Sequence, residues 1–456
     1  MNAELQRLLD VSSEQQLTAL VRAIYGMSVE VDQRIESILL SSDPQALARQ
    51  LKKRIKSIAR GRKFIDYFQS HAFSQTLRVL IDDIAQLLPS SPQLAFELAD
   101  QFMVTHENVY GRSDDSGGAI GDSYARGLEV WLQAAGCWRA TGNCKLDWLS
   151  ELQSRHNHNG YAVWDNLIVG SAQLLTPEEL HQLVWRFETE FKQAKYVPGG
   201  KDYSFEAARA TLGIAAVAEA LQDVSLFERS VLLISPSPNE LQKQSISDFC
   251  LRAQDGESAL KWLAEPWSPR FENERLALLD KTYVLLDRRS ELLELRQRAY
   301  QRQPDNRRLN ALLSVLPEAE RPAVKGQAVE KALQMEPVEL RLETLIALDA
   351  LDAAQQQLIK HRAQLRASYS MLLNWAERFR AERRFLAAVV CYRLLLEEIL
   401  AAGRIKAYGH AARYYQQLEK LHAQIERYDD LPDWPAYQQQ LRQQHGRKTS
   451  FWQRLE

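Results

Sequence analysis

The feature that most constrains the fold is an apolar stripe with helical spacing between Phe73 and Leu88. Aliphatic residues recur there every three or four positions, which places them on one face of an α-helix. They are Leu77, Leu80, Ile81, Ile84, Leu87 and Leu88. Such a stripe is stable only when another element covers it, so the sequence predicts helices that pack against each other.

Helix starts are marked by capping residues followed by proline. Asp43-Pro44 and Ser91-Pro92 each place a capping side chain before a proline at the first helical position. The segment Thr176-Pro177-Glu178-Glu179 adds a capping box, because a Glu follows the Thr by three residues. We expect the helix that begins there to run to about Lys195.

The composition supports an all-α fold. The chain has 456 residues, 45% of them hydrophobic, and only 19 Gly and 15 Pro, too few for the many turns of an all-β protein. Its formal net charge is −2, so the chain as a whole does not indicate nucleic-acid binding. Four cysteines without a C-x-x-C pair favour a reducing compartment and predict no disulfide framework.

The sequence predicts neither export nor a membrane span. Glu4 and Asp10 lie where a signal peptide needs a basic start and an apolar core. The longest apolar stretch, residues 213–235, is too interrupted to cross a membrane. The interrupting residues are Glu219, Asp223, Glu228 and Arg229. We therefore expect a cytoplasmic protein with no membrane partner.

The C-terminal half contains a proline-punctuated period. Pro304 and Pro337 are 33 residues apart, close to the period of tetratricopeptide-type repeats, which stack because each covers the apolar face of its neighbour. We predict an α-α superhelix, a degenerate helical solenoid with tetratricopeptide-like repeats in the C-terminal half. The turn-forming residues 197–200 suggest an N-terminal helical domain over residues 1–196 and a repeat domain over residues 197–456.

A basic helix face is the first candidate site. Seven cations lie between Lys52 and Lys63, and the apolar residues among them share the opposite side of the helix. The cations of the exposed side are Arg49, Lys52, Lys53, Lys56 and Arg60. This face could contact phosphates or an acidic protein surface. It could equally be a solvated face whose charges pair with acids elsewhere in the chain.

The acidic, glycine-rich loop over residues 110–122 is the second candidate. Laid on the calcium-binding EF-hand pattern, Ser113 takes the first position and Tyr124 the twelfth, so the principal carboxylate ligands are missing. A metal site would require the loop acids Asp114, Asp115 and Asp122 to converge with His106, His156 or His158. The alternative is that one of these acids caps the following helix while Gly117, Gly118 and Gly121 adopt positive φ angles. We predict no metal and no cofactor.

Cys137 and Cys144 have no zinc-ligand spacing and are expected to be buried. Near the C-terminus, arginines and aromatic residues offer a possible partner surface, because both types are enriched at interfaces. The candidates are Arg380, Arg383, Arg384, Phe451 and Trp452, with Trp375 and Arg378 beside them. The alternative is that the rings belong to the helical core and the arginines to a solvated face.

Five segments carry a resemblance to a known family. They are GRKFIDY (61–67), SGGAIGD (116–122), NGYAVWDNLI (159–168), GRIKAYGHAARY (403–414) and HGRKTSFW (445–452). Together they resemble a bacterial family of all-helical proteins known only as a domain of unknown function. Some relatives are associated with a SWIM-type zinc finger, but this chain lacks its C-x-C and C-x-H pairs. The resemblance implies a helical fold and no established activity.

The function predicted from the sequence is a non-catalytic helical-repeat scaffold that binds a protein partner. One alternative is a nucleic-acid-binding protein that uses the basic face at residues 49–63. A second is a metal-dependent enzyme centred on the loop at residues 110–122.

Overall fold

The structure is a computed structural model that describes residues 7–8, 10–197 and 204–455. In this part of the chain the regular elements are helices, and the β pairing consists of one isolated parallel bridge between Ile65 and Ser113. The predicted all-α class is therefore confirmed. None of the described helices combines the length and the apolar character that a membrane crossing requires. The cytoplasmic localisation stays a prediction.

The chain divides into two compact units, Met1–Leu286 and Asp287–Glu456, called unit 1 and unit 2 below. The helices of unit 1 are α1 (Glu14–Ile24), α2 (Val29–Leu39), α3 (Pro44–Ala59), α4 (Tyr67–Ala85), α5 (Pro92–Val104), α6 (His106–Tyr110), α7 (Ala119–Ala140), α8 (Trp148–Asn157), α9 (Leu167–Gly170), α10 (Pro177–Gln193), α11 (Phe205–Leu221), α12 (Val224–Ile234), α13 (Glu240–Arg252), α14 (Gly256–Leu263) and α15 (Glu272–Leu285).

Most of the predicted stripe lies in α4, which begins at Tyr67, six residues before the predicted start, and ends at Ala85, so Leu87 and Leu88 follow the helix. Its residues Leu77, Leu80, Ile81 and Ile84 are fully buried, and α4 packs along α7. The stripe thus forms the centre of the unit 1 core.

The predicted caps are mostly present. Asp43 accepts hydrogen bonds from the first turn of α3, and Thr176 and Glu179 form the capping box of α10, which ends at Gln193 rather than near Lys195. Ser91 occupies the N-cap position of α5, but its side chain makes no capping hydrogen bond. Pro92 alone therefore marks that helix start.

Unit 2 has its own apolar core, which includes Trp375, Phe379 and Phe451. Its helices are α16 (Arg289–Arg302), α17 (Asn306–Val315), α18 (Arg321–Leu333), α19 (Val338–Ala347), α20 (Leu351–His361), α21 (Tyr369–Ala381), α22 (Phe385–Ala401), α23 (Tyr408–His422), α24 (Trp434–His445) and α25 (Thr449–Trp452).

One type of three-residue turn recurs between consecutive helices. Its central residue has a left-handed backbone conformation at Gln254, Asp287, Asp349 and Arg383, with φ between 50° and 60°. At three of these turns the amide of the residue after the central one donates to the carbonyl five residues earlier, which is the Schellman arrangement. The central residues are 33, 62 and 34 residues apart. The same kind of turn therefore links several pairs of consecutive helices.

The boundary predicted near residue 197 falls within unit 1. Helices on both sides of it, α10 and α11, pack against each other so closely that a Cβ atom on Gly213 would lie 2.7 Å from the Phe187 ring. Apolar residues from both sides also belong to one core. Residues 198–203, which include most of the predicted linker, lie outside the described residues.

Candidate functional site

Helix α3 separates apolar from basic residues in unit 1. The chain has no Asp or Glu between Asp43 and Asp66, although this stretch holds eight cations. Its apolar side is buried through Leu47, Leu51, Ile55 and Ile58. The five predicted cations are all exposed: Arg49, Lys52, Lys53, Lys56 and Arg60.

Arg62 and Lys63 extend this face beyond the helix end, and both are exposed. We call these seven residues, Arg49, Lys52, Lys53, Lys56, Arg60, Arg62 and Lys63, the basic surface. Within the described part of the chain none of the seven lies within ion-pair distance of an acid, whereas many other arginines are paired. Direct ion pairs with acids elsewhere in the chain are therefore not present at these residues, and the interpretation as a solvated face stays open.

A buried carboxylate fixes the orientation of α3. Asp83 of α4 has no exposed surface, and its oxygens accept hydrogen bonds from Arg34, Ser37 and Arg54. The Arg54 Nη1 atom lies 2.7 Å from Asp83 Oδ2. Arg54 is the one cation of the predicted run that turns inward, and the ion pair it forms keeps the basic surface facing solvent.

Arg112 holds the turn that follows α3. Its guanidinium donates to the carbonyl oxygens of Lys63 at 3.0 Å and Ile58 at 3.4 Å, and to the Asn108 side chain at 2.9 Å. The Ile65 amide in turn donates to the Arg112 carbonyl at 2.9 Å. Residues 58–65 therefore have a fixed backbone, although the side chains of Arg62 and Lys63 are free in solvent.

Three exposed aromatic residues follow the basic surface in the chain, and we call them the ring cluster. Phe64, Tyr67 and Phe68 have 60%, 52% and 90% of their surface exposed. The Tyr67 and Phe68 rings meet edge to face, with centroids 5.6 Å apart. The sequence prediction missed these residues. A signal was present, because Phe68 lies nine residues before Leu77 and so half a turn away from the buried stripe.

The acidic loop caps a helix. The two carboxylate oxygens of Asp115 accept from the amides of Ile120 at 2.9 Å and Gly121 at 2.8 Å, at the start of α7. Asp114 accepts from the amide of Ser116 at 3.1 Å, and this bonding with Ser116 lowers the pKa of Asp114. Of the three glycines expected to have positive φ, only Gly118 does so, because Gly121 lies inside α7.

The histidines do not converge with this loop. A ring N–H of His106, His156 and His158 donates to the backbone carbonyl of Met103, Arg209 and Ser154, respectively. Burial also lowers the pKa of His156. The described residues contain no group of three or more His, Cys, Asp or Glu side chains that could hold a metal ion. The convergence that the metal-enzyme alternative requires is therefore not present in them.

The predicted partner residues of unit 2 mostly serve its packing. Phe451 is fully buried, and the half-buried Trp452 donates from its indole nitrogen to the His445 carbonyl at 3.0 Å. Arg380 pairs with Glu377 on its own helix, and Arg384 pairs with Asp352 at 3.0 Å. Of the five, Arg383 alone is an exposed cation without an ion pair in the described chain.

The cysteines differ from expectation at one position. Cys137 is exposed and Cys144 half-buried, so the prediction that both are buried is wrong for Cys137. Cys250 is buried, which raises the pKa of its thiol to about 12 and keeps it protonated.

Comparison with known proteins gives a family. The model of a family of unknown function, DUF6880, matches residues 14–454, so the chain belongs to that family. This confirms the resemblance to a domain of unknown function. The bacterial source and the association with SWIM-type zinc fingers stay predictions. No curated protein and no solved structure matches the chain.

Proposed function

We propose that this member of the DUF6880 family is a non-catalytic binding protein on a helical-repeat framework, and that its basic surface binds single-stranded nucleic acid. The observation that carries the proposal is the group of seven exposed cations without an acidic partner, beside three exposed rings. Unpaired cations gain most from a polyanion, because no internal ion pair has to be broken first.

The dimensions of the basic surface suit a nucleic-acid strand. Arg49 and Arg60 are separated by about 16 Å along the axis of α3, at roughly 1.5 Å per residue. That length corresponds to about five nucleotides at roughly 3.4 Å each. Several consecutive phosphates can thus contact one face of the helix.

The ring cluster favours a single strand over a duplex. Exposed Phe and Tyr rings stack on unpaired bases, and each stacked base contributes roughly 1–3 kcal/mol. Bases within a duplex are already stacked on each other and cannot accept these rings.

The experiment is fluorescence anisotropy of the full chain with a labelled single-stranded oligonucleotide at low salt. The triple variant Lys52→Gln, Lys53→Gln, Lys56→Gln should weaken binding roughly tenfold or more, because three phosphate contacts are lost. The matched control removes three exposed lysines elsewhere in unit 1: Lys145→Gln, Lys192→Gln and Lys281→Gln. The control has the same net charge and should bind like the wild type.

Phe68→Ala should weaken binding to the single strand by roughly 1–3 kcal/mol and leave duplex binding nearly unchanged. Because Phe68 is almost fully exposed, its loss should not alter folding. Trp185→Ala, which removes another exposed ring of unit 1, is the control. An equal loss of affinity for the single strand in Phe68→Ala and Trp185→Ala would contradict the proposal. So would binding to anionic lipid vesicles without binding to the oligonucleotide.

A second candidate function is that of a scaffold for a protein partner, and the recurring helical hairpins support it. Two ion pairs of unit 2 link the segments around the turns at Asp349 and Arg383. Arg378 of α21 contacts Asp349 at 2.8 Å, and Arg384 contacts Asp352 of α20 at 3.0 Å. Hairpins with a regular period stack into solenoids with extended binding faces.

An affinity pull-down with mass spectrometry, after nuclease treatment, tests this second function. A protein retained by both the wild type and the Lys52, Lys53, Lys56 triple variant would support it, and Arg383→Glu should reduce the capture if the partner contacts the turn at Arg383. Loss of every captured protein on nuclease treatment would contradict it.

A further inference from the structure

Two segments near the C-terminus carry cations and no acid. Residues 399–418 hold three Lys or Arg and residues 434–455 hold four, without an Asp or Glu in either segment. One of the seven, Arg404, is paired, with Glu398 at 3.3 Å. The other six form no ion pair within the described chain, and we call them the C-terminal basic surface: Lys406, Arg413, Arg442, Arg447, Lys448 and Arg454. Lys448 is half-buried and the other five are exposed.

The fold of unit 2 brings the two segments together, because α25 packs against α23. A Cβ atom added at Gly403 would lie 4.0 Å from the Lys448 Nζ atom. A Cβ atom added at Gly409 would lie at the same distance from the Arg454 Nη1 atom. Arg413 follows Gly409 by four residues in α23 and so lies on the same helix face. Cations that are about 40 residues apart in the chain therefore share one surface.

The aromatic rings of these segments serve packing, so this surface offers charge without a free ring. Phe451 is fully buried and Tyr408 is 4% exposed. The Arg442 guanidinium lies 5.2 Å from the ring centroid of the half-buried Trp452. Glu456, the acid that follows the second segment, lies outside the described residues. The C-terminal basic surface can thus contact phosphate groups, but it lacks the exposed rings that stack on bases.

Like charges that share a surface repel each other, and a polyanion removes this repulsion while releasing bound counter-ions. A polymer that repeats its phosphate groups can satisfy acid-free surfaces on both compact units, whereas an acidic patch of a protein partner would match only one of them. We infer that the C-terminal basic surface is a second phosphate-contacting surface of this chain, and that its ligand is the backbone of a nucleic acid. The ligand class rests on the proposed function, whereas the site does not involve unit 1.

The test is fluorescence anisotropy of the full chain at low salt, with a labelled single strand and with a duplex of the same sequence. The triple variant Lys406→Gln, Arg447→Gln, Arg454→Gln should weaken binding to both roughly tenfold or more, because three phosphate contacts are lost. None of the three side chains makes an ion pair in the described chain, so their loss should not alter folding. The matched control removes one lysine and two arginines, all exposed, elsewhere in unit 2: Arg302→Gln, Arg307→Gln and Lys325→Gln.

The two surfaces can fail separately. If the Lys52, Lys53, Lys56 triple variant binds like the wild type and the unit 2 variant loses affinity, the proposed function of unit 1 fails and this inference stands. The opposite result overturns the inference and leaves the proposed function in place. Equal affinities of the unit 2 variant and its control would also overturn it. So would binding to vesicles of phosphatidylserine and phosphatidylcholine without binding to either oligonucleotide.

Discussion

Asp83 shows how one buried side chain positions a surface. Its carboxylate is satisfied by Arg34, Arg54 and Ser37, and the pair with Arg54 ties α3 to α4. Because the acid is fully buried, its partners cannot be replaced by water when it is removed. The orientation of the basic surface thus depends on a residue that is not part of it.

Asp83→Asn should lower the free energy of unfolding by roughly 3 kcal/mol or more, because the largely buried Arg54 guanidinium loses its counter-ion. Urea unfolding measures the change. The neighbouring Asp82, whose side chain is 42% exposed, provides the control. Asp82→Asn should stay within about 0.5 kcal/mol of the wild type. Equal effects of the two substitutions would contradict the role given to Asp83.

His156 should make stability depend on pH. Burial lowers its pKa in the folded chain, so the unfolded chain, with an ordinary value of about 6.5, binds the proton at higher pH. Stability is then lost as the pH falls through about 6.5. Unfolding measured between pH 7 and pH 5 should show a smaller loss for His156→Gln than for the wild type.

Single residues were predicted unevenly from the sequence, for physical reasons. The exposed cations of α3 follow from helical spacing, because the opposite positions are apolar. The inward turn of Arg54 does not, because its partner Asp83 is 29 residues away. The burial of Phe451 and the ion pair of Arg384 were not predictable, because the sequence does not distinguish a ring or a guanidinium that packs or pairs inside the unit from one that contacts a partner.

At the scale of elements, each left-handed turn at a residue other than glycine raises the conformational free energy of the folded chain. A residue other than glycine in this conformation costs roughly 1 kcal/mol. Arg383 occupies such a position with φ of 59° and an exposed side chain. A glycine there would relieve the strain without removing an ion pair.

Arg383→Gly should therefore stabilise the chain by about 0.5–1 kcal/mol, as measured by urea unfolding. Gln356→Gly, at an exposed position inside α20, should destabilise it by a similar amount, because glycine weakens helix interiors. A gain in stability from glycine at position 383, together with a loss from glycine at position 356, would confirm the turn geometry. Destabilisation by both would contradict it.

Asp115→Ala should destabilise the chain by about 1–2 kcal/mol, because the start of α7 loses two side-chain caps. Thermal unfolding checks this, with Asp114→Ala as the control, since the described side-chain bonds of Asp114 stay within the loop. The calcium alternative predicts a different result. Under it, calcium would raise the melting temperature of the wild type and would not raise that of Asp115→Ala.

Element positions were predictable where a capping residue precedes an apolar stripe, as in α3 and α10. The recurring turns were not predicted, because Gln254, Asp287 and Arg383 stand where glycine would have signalled a helix end. Pro304 and Pro337, whose spacing suggested the repeat, lie between different helices from those joined by these turns, and the tetratricopeptide-like arrangement stays a prediction.

At the scale of the whole chain, the net charge of −2 conceals a local separation of charge. The acids pair with arginines elsewhere, whereas the stretch from Asp43 to Asp66 has none between its ends. The net charge alone therefore could not indicate whether the chain carries a basic surface. The sequence placed the domain boundary at a glycine-rich segment, whereas the compact units divide between Leu286 and Asp287, at a short turn without glycine.

The salt dependence of binding to a single-stranded oligonucleotide tests the central claim most directly. Each phosphate contact contributes about −0.7 to the slope of log affinity against log salt concentration. With up to seven cations in contact, the wild type should show a slope of about −3 to −5. The Lys52, Lys53, Lys56 triple variant should reduce its magnitude by about 2, and the Lys145, Lys192, Lys281 control should not change it. A wild-type slope near zero, or one slope shared by all three proteins, would contradict binding through the basic surface.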